Sequence, residues 1–214
     1  MMSSLATLKD CGLWRGPPII LASKSWARAR LLQNAGVVFD VVDSNLDERN
    51  VPNVHALESR AQALHLAREK ARIVSRLHPG QVVVGADQTL ELAGCTLHKP
   101  PAVDQAMAQL RALSGAMHSL HSAVACMQDE GIRFEFVVTA RITMRKLTER
   151  MINAYAAAMG DRLTATVGGY EIEGLGANLL ESVDGDFFTV VGLPMFQLLS
   201  GLRQIGLIAE EEAR

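Results

Sequence analysis

The chain has 214 residues, 49% of them hydrophobic and 21% charged, with a formal net charge of −2. That length and composition suit one substantial globular α/β unit and exclude a disordered chain. The slight acidity excludes a general nucleic-acid or membrane-surface binder, which needs a basic excess, so any anion site must be a local cluster of Lys and Arg.

Residues 1–17 have no continuous apolar core and carry Lys9, Asp10 and Arg15. They read as a loose N-terminal extension and not as a signal peptide. Residues 18–22 (PIILA) suit a buried strand, and residues 26–35 a helix closed by Gly36. The turn between them, Ser23-Lys24-Ser25, leads into a helix N-terminus, where free N–H groups and the helix dipole favour an anion. Arg28 and Arg30 fall in the first turns of that helix, where the dipole disfavours cations; each is either a ligand-binding group or solvated. Residues 37–42 suggest a second strand, and residues 43–50 an acidic loop with Asp47 and Glu48. Leu57, Ala61, Leu64, Ala67, Ala71 and Val74 repeat at helical spacing, which predicts a helix over residues 54–77 with Lys70 beside its buried stripe. By spacing alone, Glu48 and Lys70 read as solvated residues.

The stretch 82–100 (VVVGADQTLELAGCTLHKP) begins as a buried strand, meets Gly85, and presents Asp87 at the expected carboxyl end of the strand. Ligands of α/β sheets gather at such ends, although aspartates there also serve as turn-formers. A short second strand over residues 89–92 and a glycine turn precede His98-Lys99-Pro100. Asp104 suggests the N-cap of a helix carrying Met107, Leu110 and Leu113. Residues 118–127 and 132–144 form a predicted hairpin, followed by a helix capped by Thr148 and ending before Gly160. His118 and His121 would face opposite sides of a strand, which argues against a metal-binding pair. The glycine-dense segment 164–176 contains Glu171 and Glu173. A turn at residues 184–186, a strand over 187–191 and a helix begun by Pro194 complete the pattern, with a polar, frayed tail over 209–214. Cys11, Cys95 and Cys126 form no CxxC pair, so neither a zinc site nor a disulfide framework is expected, and a reducing cytoplasm fits. There is no GxxxxGK[ST] or GxGxxG motif after a strand, no internal repeat and no clear domain boundary.

The order of the motifs is more specific than any one of them. LASKSxxRxxLL, the acidic pair Asp47-Glu48, AREKA, VVVGADQT, HKP, LSGxxH, GGYEIEGLG and VDGDFFTVVGLP together resemble the Maf family of nucleotide pyrophosphatases. The resemblance spans residues 18–206 and implies one pyrophosphatase domain over residues 18–208. It implies an α/β fold: a long twisted mixed sheet flanked by helices, in two lobes with a central cleft. The implied reaction is metal-assisted hydrolysis of a nucleoside triphosphate to a monophosphate and pyrophosphate, with Mg²⁺ or Mn²⁺, in a cytoplasmic homodimer. By position, the resemblance assigns phosphate binding to Ser23 and Arg28. It assigns catalysis to Asp87, Glu48, Lys70 and Lys99, with Glu48 and Asp87 also as metal ligands.

Base selectivity falls by the same resemblance on Ala27, Gln88 and Glu173. Gln88 and Glu173 look like the branch acting on 7-methyl-GTP, whereas pyrimidine-directed members carry GADT and IQG there. Ala27 stands where that branch has tryptophan, and Trp26 replaces the family's proline. Trp26 then either stacks on the base or packs in the core. The alternatives are the same reaction on dTTP or UTP, and a non-catalytic nucleotide-binding protein that regulates septum formation and cell division.

Overall fold

The structure is a computed structural model that describes residues 6–209. Its strands are β1 (Ile19–Ala22), β2 (Phe39–Val41), β3 (Val83–Leu92), β4 (Cys95–Leu97), β5 (Met117–Gln128), β6 (Gly131–Met144) and β7 (Leu180–Asp184). Its helices are α1 (Trp26–Asn34), α2 (Ser59–Leu77), α3 (Val103–Leu113), α4 (Glu149–Met159), α5 (Phe187–Val191) and α6 (Met195–Gln204). The seven strands form one mixed sheet in the order β2-β1-β3-β5-β6-β7, with β4 also paired to β3. β1 runs parallel to β2 and β3, and the pairings from β3 onward are antiparallel. This is the expected α/β class.

β1 is buried on both faces, as an apolar run in a parallel pair must be. Ile19 and Leu21 pack with α1 and α6, while Ile20 and Ala22 pack toward Ala63, Ala67 and Ala71 of α2. A separate core of Leu110, Ile142, Ile152, Leu163 and Tyr170 fills the region around α3 and α4. The strands run through both regions, and the cleft lies between them.

Alternation along β3 sends Val83, Gly85 and Asp87 toward α2, and Val84, Ala86 and Gln88 the other way. α2 lies so close there that a Cβ on Gly85 would stand 2.2 Å from the Ala67 carbonyl oxygen and 2.7 Å from the Ala71 nitrogen. Glycine is therefore required by the approach of a helix, since no φ constraint applies at this residue.

Several local expectations are corrected. Residues 83–92 form one continuous strand, so Asp87 lies within β3 and not at its end. β1 pairs with β3 only as far as Ala22↔Gly85, and β4 joins the same edge from Leu90 onward. The gap between them exposes the edge of β3 at Asp87, which produces the opening that a strand end would have supplied. The expected helix 54–77 is a 3-10 turn at Val54–Ala56 followed by α2 from Ser59. Ala102, not Asp104, holds the N-cap position of α3. The expected strand over 187–191 is helix α5, because the Asp186 carboxylate accepts from the Thr189 N–H at 2.9 Å and Gly192 closes the helix at φ 111°. Local capping overrides the β-rich composition. The strand in this region is the preceding segment, β7.

Residues 6–17, expected to be loose, are tied down in the structure. Leu8 N–H donates to the Gly36 carbonyl at 2.7 Å and Ala209 N–H to the Leu13 carbonyl at 2.8 Å, while Trp14 is buried and bridges to Ile208. The rest of the extension, and residues 210–214 of the tail expected to fray, lie outside the described residues.

Gly85→Ala is expected to lower unfolding stability by roughly 3 kcal/mol through overpacking against α2. Urea unfolding checks this, as a lowered midpoint at unchanged slope.

Candidate active site

A cleft of about 1150 Å³ opens over the exposed edge of β3. The residues assigned by resemblance (Ser23, Ala27, Arg28, Glu48, Lys70, Asp87, Gln88, Lys99 and Glu173) all line it. Six separate chain segments supply them, which is why spacing alone could not gather them.

At its centre Lys70 Nζ donates to Asp87 Oδ1 at 2.6 Å and to Glu48 Oε1 at 2.6 Å. Ala67 and Ala71 seat α2 on β3, and Lys70, one residue before Ala71, projects beside Asp87. Lys70 and Asp87 are almost wholly enclosed, while Glu48 reaches in from the acidic loop and is half exposed. Burial alone would lower the Lys70 pKa, but the charges of Asp87 and Glu48 outweigh it and hold it above the usual lysine value. Burial, reinforced by the Glu48 charge, lifts the Asp87 carboxyl above its ordinary value, against the pull of Lys70 and Arg28. For Glu48 the partial loss of water is overcome by Lys70, and its pKa falls. The two carboxylates therefore differ in proton affinity although they share one ammonium.

Arg28 forms the next part of the site. Its Nη1 donates to the Ala86 carbonyl at 2.9 Å, on the unpaired edge of β3, and to Ser23 Oγ at 3.2 Å. Its Nε donates to the Gly192 carbonyl at 2.9 Å. One guanidinium thus ties α1, β3 and the turn after α5. Only a planar fork can serve these acceptors together. Ser25 caps α1 by accepting from Arg28 N–H, and Ser23 Oγ accepts from Ser25 N–H at 3.2 Å. Arg30, the other arginine raised by the sequence, does not line the cleft.

Lys99 faces the cleft without an ion-pair partner among the described residues. Partial desolvation, and then the charges of Arg28 and Lys70, hold its pKa below the usual lysine value despite Glu48 and Asp87. Ser23, Arg28, Lys70 and Lys99 together present directed donors and positive charge suited to a chain of phosphates.

The selectivity residues line the same cleft. Gln88 points to the face of β3 opposite Asp87, and its amide nitrogen is held by Ser122 Oγ at 2.8 Å and the Thr189 carbonyl at 3.0 Å. Glu173 is exposed at the rim. Trp26 is 50% exposed, which removes the core reading for this residue.

The sequence did not single out Tyr170, which lines the cleft and shares a 2.6 Å hydrogen bond with His118 Nε2. A lone aromatic between the glycines and acids of GGYEIEG was the available signal. The Gly192 carbonyl that holds Arg28 could not be found in advance, since every residue has one. His121 bonds Thr139 Oγ1 at 2.8 Å, so the two histidines have separate partners, as their alternation required.

Among the described residues no group of three or more His, Cys, Asp or Glu stands ready to hold a metal. Glu48 and Asp87 nevertheless fit a Mg²⁺-type ion, which takes one or two carboxylates and completes its shell with phosphate oxygens and water.

Residues 18–205 match the family model described as Maf-like protein. A protein of Bradyrhizobium diazoefficiens named nucleoside triphosphate pyrophosphatase is 51% identical over 200 residues, covering 92% of this chain and 99% of its own. One of the same name from Rhodopseudomonas palustris is 48% identical over 199 residues, covering 92% of this chain and 98% of its own. A protein of Rhizobium johnstonii named 7-methyl-GTP pyrophosphatase is 43% identical over 195 residues, covering 90% and 98%.

Burial lowers the His118 pKa to about 4, from 6.5 for the free side chain. Between these values the unfolded chain takes up a proton that the native state refuses, so stability falls as pH drops through the window. The loss from this group is at most roughly 3 kcal/mol. Unfolding measured from pH 7 to 4 should show a shallower fall in His118→Gln than in the wild type.

Proposed function

The chain belongs to the Maf family, and from that premise we propose that it is a nucleoside triphosphate pyrophosphatase. In this reading water attacks the α-phosphorus and the bond from that phosphorus to the α,β-bridging oxygen breaks. The products are a nucleoside monophosphate and pyrophosphate. The observation that carries the reading is the Glu48–Lys70–Asp87 chain of charges, buried at Lys70 and Asp87, beside Arg28 and Lys99 in a cleft lined by donors.

Asp87 is the proton acceptor. Its carboxyl is buried and its proton affinity lies above that of an ordinary aspartate, which suits a group that takes a proton from the attacking water. Lys70 orients Asp87 and offsets its charge. Arg28, Ser23 and Lys99 bind the triphosphate and stabilise the charge that gathers on the leaving pyrophosphate. Glu48 and Asp87 would hold a divalent cation, Mg²⁺ or Mn²⁺, which when bound neutralises phosphate charge. The cation, a homodimer and a cytoplasmic location belong to this reading on the strength of the family resemblance. Among the described residues no helix is long and apolar enough to cross a membrane.

For the base, the reading favours a modified purine such as 7-methyl-GTP. Gln88 and Glu173 support it, and so does the name of the Rhizobium johnstonii relative. A carboxylate at Glu173 accepts from the N1–H and N2–H₂ edge of guanine and favours a cationic ring.

Pyrophosphate release should be measured with Mg²⁺ or Mn²⁺ on the common ribo- and deoxynucleoside triphosphates and on 7-methyl-GTP. The wild type is expected to turn over 7-methyl-GTP fastest, and Asp87→Asn to lose at least a hundredfold in kcat, as expected for loss of a general base. Faster turnover of dTTP or UTP would overturn the base preference alone. No release from any nucleotide would overturn the enzymatic reading in favour of a nucleotide-binding protein.

A further inference from the structure

Lys99 lines the cleft with no ion-pair partner among the described residues, so its place is set by the loop that carries it. That loop, residues 98–102, joins β4 to α3. Pro100 and Pro101 supply no N–H to it, which leaves its carbonyls as the main means of attachment. The His98 carbonyl accepts from Gln109 Nε2 at 2.7 Å. The His98 ring also meets His55 edge to face, with centroids 5.8 Å apart, but that contact holds the ring and leaves the backbone to Gln109. Gln109 belongs to α3, is half-buried, and is not among the residues that line the cleft.

The other end of the same amide is also engaged. Gly168 N–H donates to Gln109 Oε1 at 3.1 Å. Gly168 is buried in the left-handed region at φ 78°, where a Cβ would stand 2.7 Å from Leu90 Cδ1 and 3.3 Å from Leu113 Cδ1. Two residues on, Tyr170 is buried and bonded to His118 of β5 at 2.6 Å. The glycine-dense segment is thus held against β3, α3 and β5 by contacts of its own. A carbonyl only accepts and an N–H only donates, so the Gln109 amide has one workable orientation between Gly168 and His98.

We propose that Gln109 is a positioning residue of the site: it takes its bearing from the Gly168 N–H and fixes the His98 carbonyl, so that Lys99 meets the phosphates of a bound nucleotide. The proposal rests on the nucleotide reading of the cleft and deepens it. The amide is a planar spacer between a well-anchored segment and a loop with few ties of its own. Gln109 touches no substrate, so its effect passes through Lys99. A small displacement of a charge that meets phosphate is costly, because the attraction depends on distance and direction.

Two variants take the bonds apart. Gln109→Met keeps the length of the side chain and removes both hydrogen bonds. Gln109→Glu keeps an acceptor for the Gly168 N–H and sets an oxygen in place of the donor to His98. In steady-state pyrophosphate release on the preferred nucleotide, each is expected to lower kcat/KM roughly tenfold, about the effect of one weakened hydrogen bond to a charged group. Lys99→Ala should lower it by at least as much. The deciding measurement is the double variant of Gln109→Met with Lys99→Ala, which should fall no lower than Lys99→Ala alone. A role in stability alone would not produce that non-additivity.

The proposal is overturned if either Gln109 variant matches the wild type, or if the two losses multiply to roughly a hundredfold or more in the double variant, as independent effects do. Failure of the enzymatic reading is a separate result. If no nucleotide is turned over, the same four proteins are titrated with inorganic pyrophosphate and Mg²⁺ in a calorimeter, and the same non-additivity in affinity upholds the proposal without the reaction. A wild type that neither turns over a nucleotide nor binds pyrophosphate removes the nucleotide reading and the proposal with it.

Discussion

Helix α2 rests on strand β3 at a separation that only glycine allows, and the site follows from that contact. With no Cβ at Gly85, the backbone at Ala67–Ala71 settles against the strand. Lys70 is then held in line with the next side chain on the same face of β3, which is Asp87. The 2.6 Å contact between them needs no further device to align it. A larger residue at Gly85 would lift the helix and separate the pair before it touched either member.

The resulting chain of charges is costly to the fold. Burying a carboxylate beside an ammonium rarely stabilises a protein more than apolar packing would, because both groups lose water. Lys70 serves two carboxylates, Arg28 is spread over three acceptors, and Lys99 has no partner at all among the described residues. In the cluster around Lys70, three cations (Arg28, Lys70 and Lys99) face two carboxylates (Glu48 and Asp87), and this local surplus suits an anion, although the cleft lining as a whole is acidic. A cluster arranged for stability alone would have paired every charge.

Arg28 shows how one side chain serves the fold and the site together. Its bonds to Ala86 and Gly192 close the edge of β3 that β1 and β4 leave open and bind the turn after α5 to the cleft wall. The same turn anchors α5, whose Thr189 carbonyl holds Gln88 in place. Arg28 and Gln88 are therefore connected through a short run of hydrogen bonds across α1, β3 and α5.

The amino-acid sequence by itself determined the fold class, the elements with clear periodicity and caps, and the identity of the residues around the cleft. β1, α1, the β5–β6 hairpin and α4 follow from apolar patterning with Ser25, Thr148 and the glycine turns. The ordered motifs named Ser23, Arg28, Glu48, Lys70, Asp87 and Lys99 where spacing alone left Glu48 and Lys70 as solvated residues. Tertiary structure decided what depends on distant neighbours. The cap from Asp186 turned a β-rich run into α5, and the short pairing of β1 opened an edge of β3 in mid-strand. Trp14 was pinned to the chain's other end, and Trp26 was left half-exposed at the cleft. Patterning records which face of an element is apolar, because that follows from its own period. It does not record how far a neighbouring strand extends, or which surface meets a given side chain, because those depend on contacts between segments far apart in the chain.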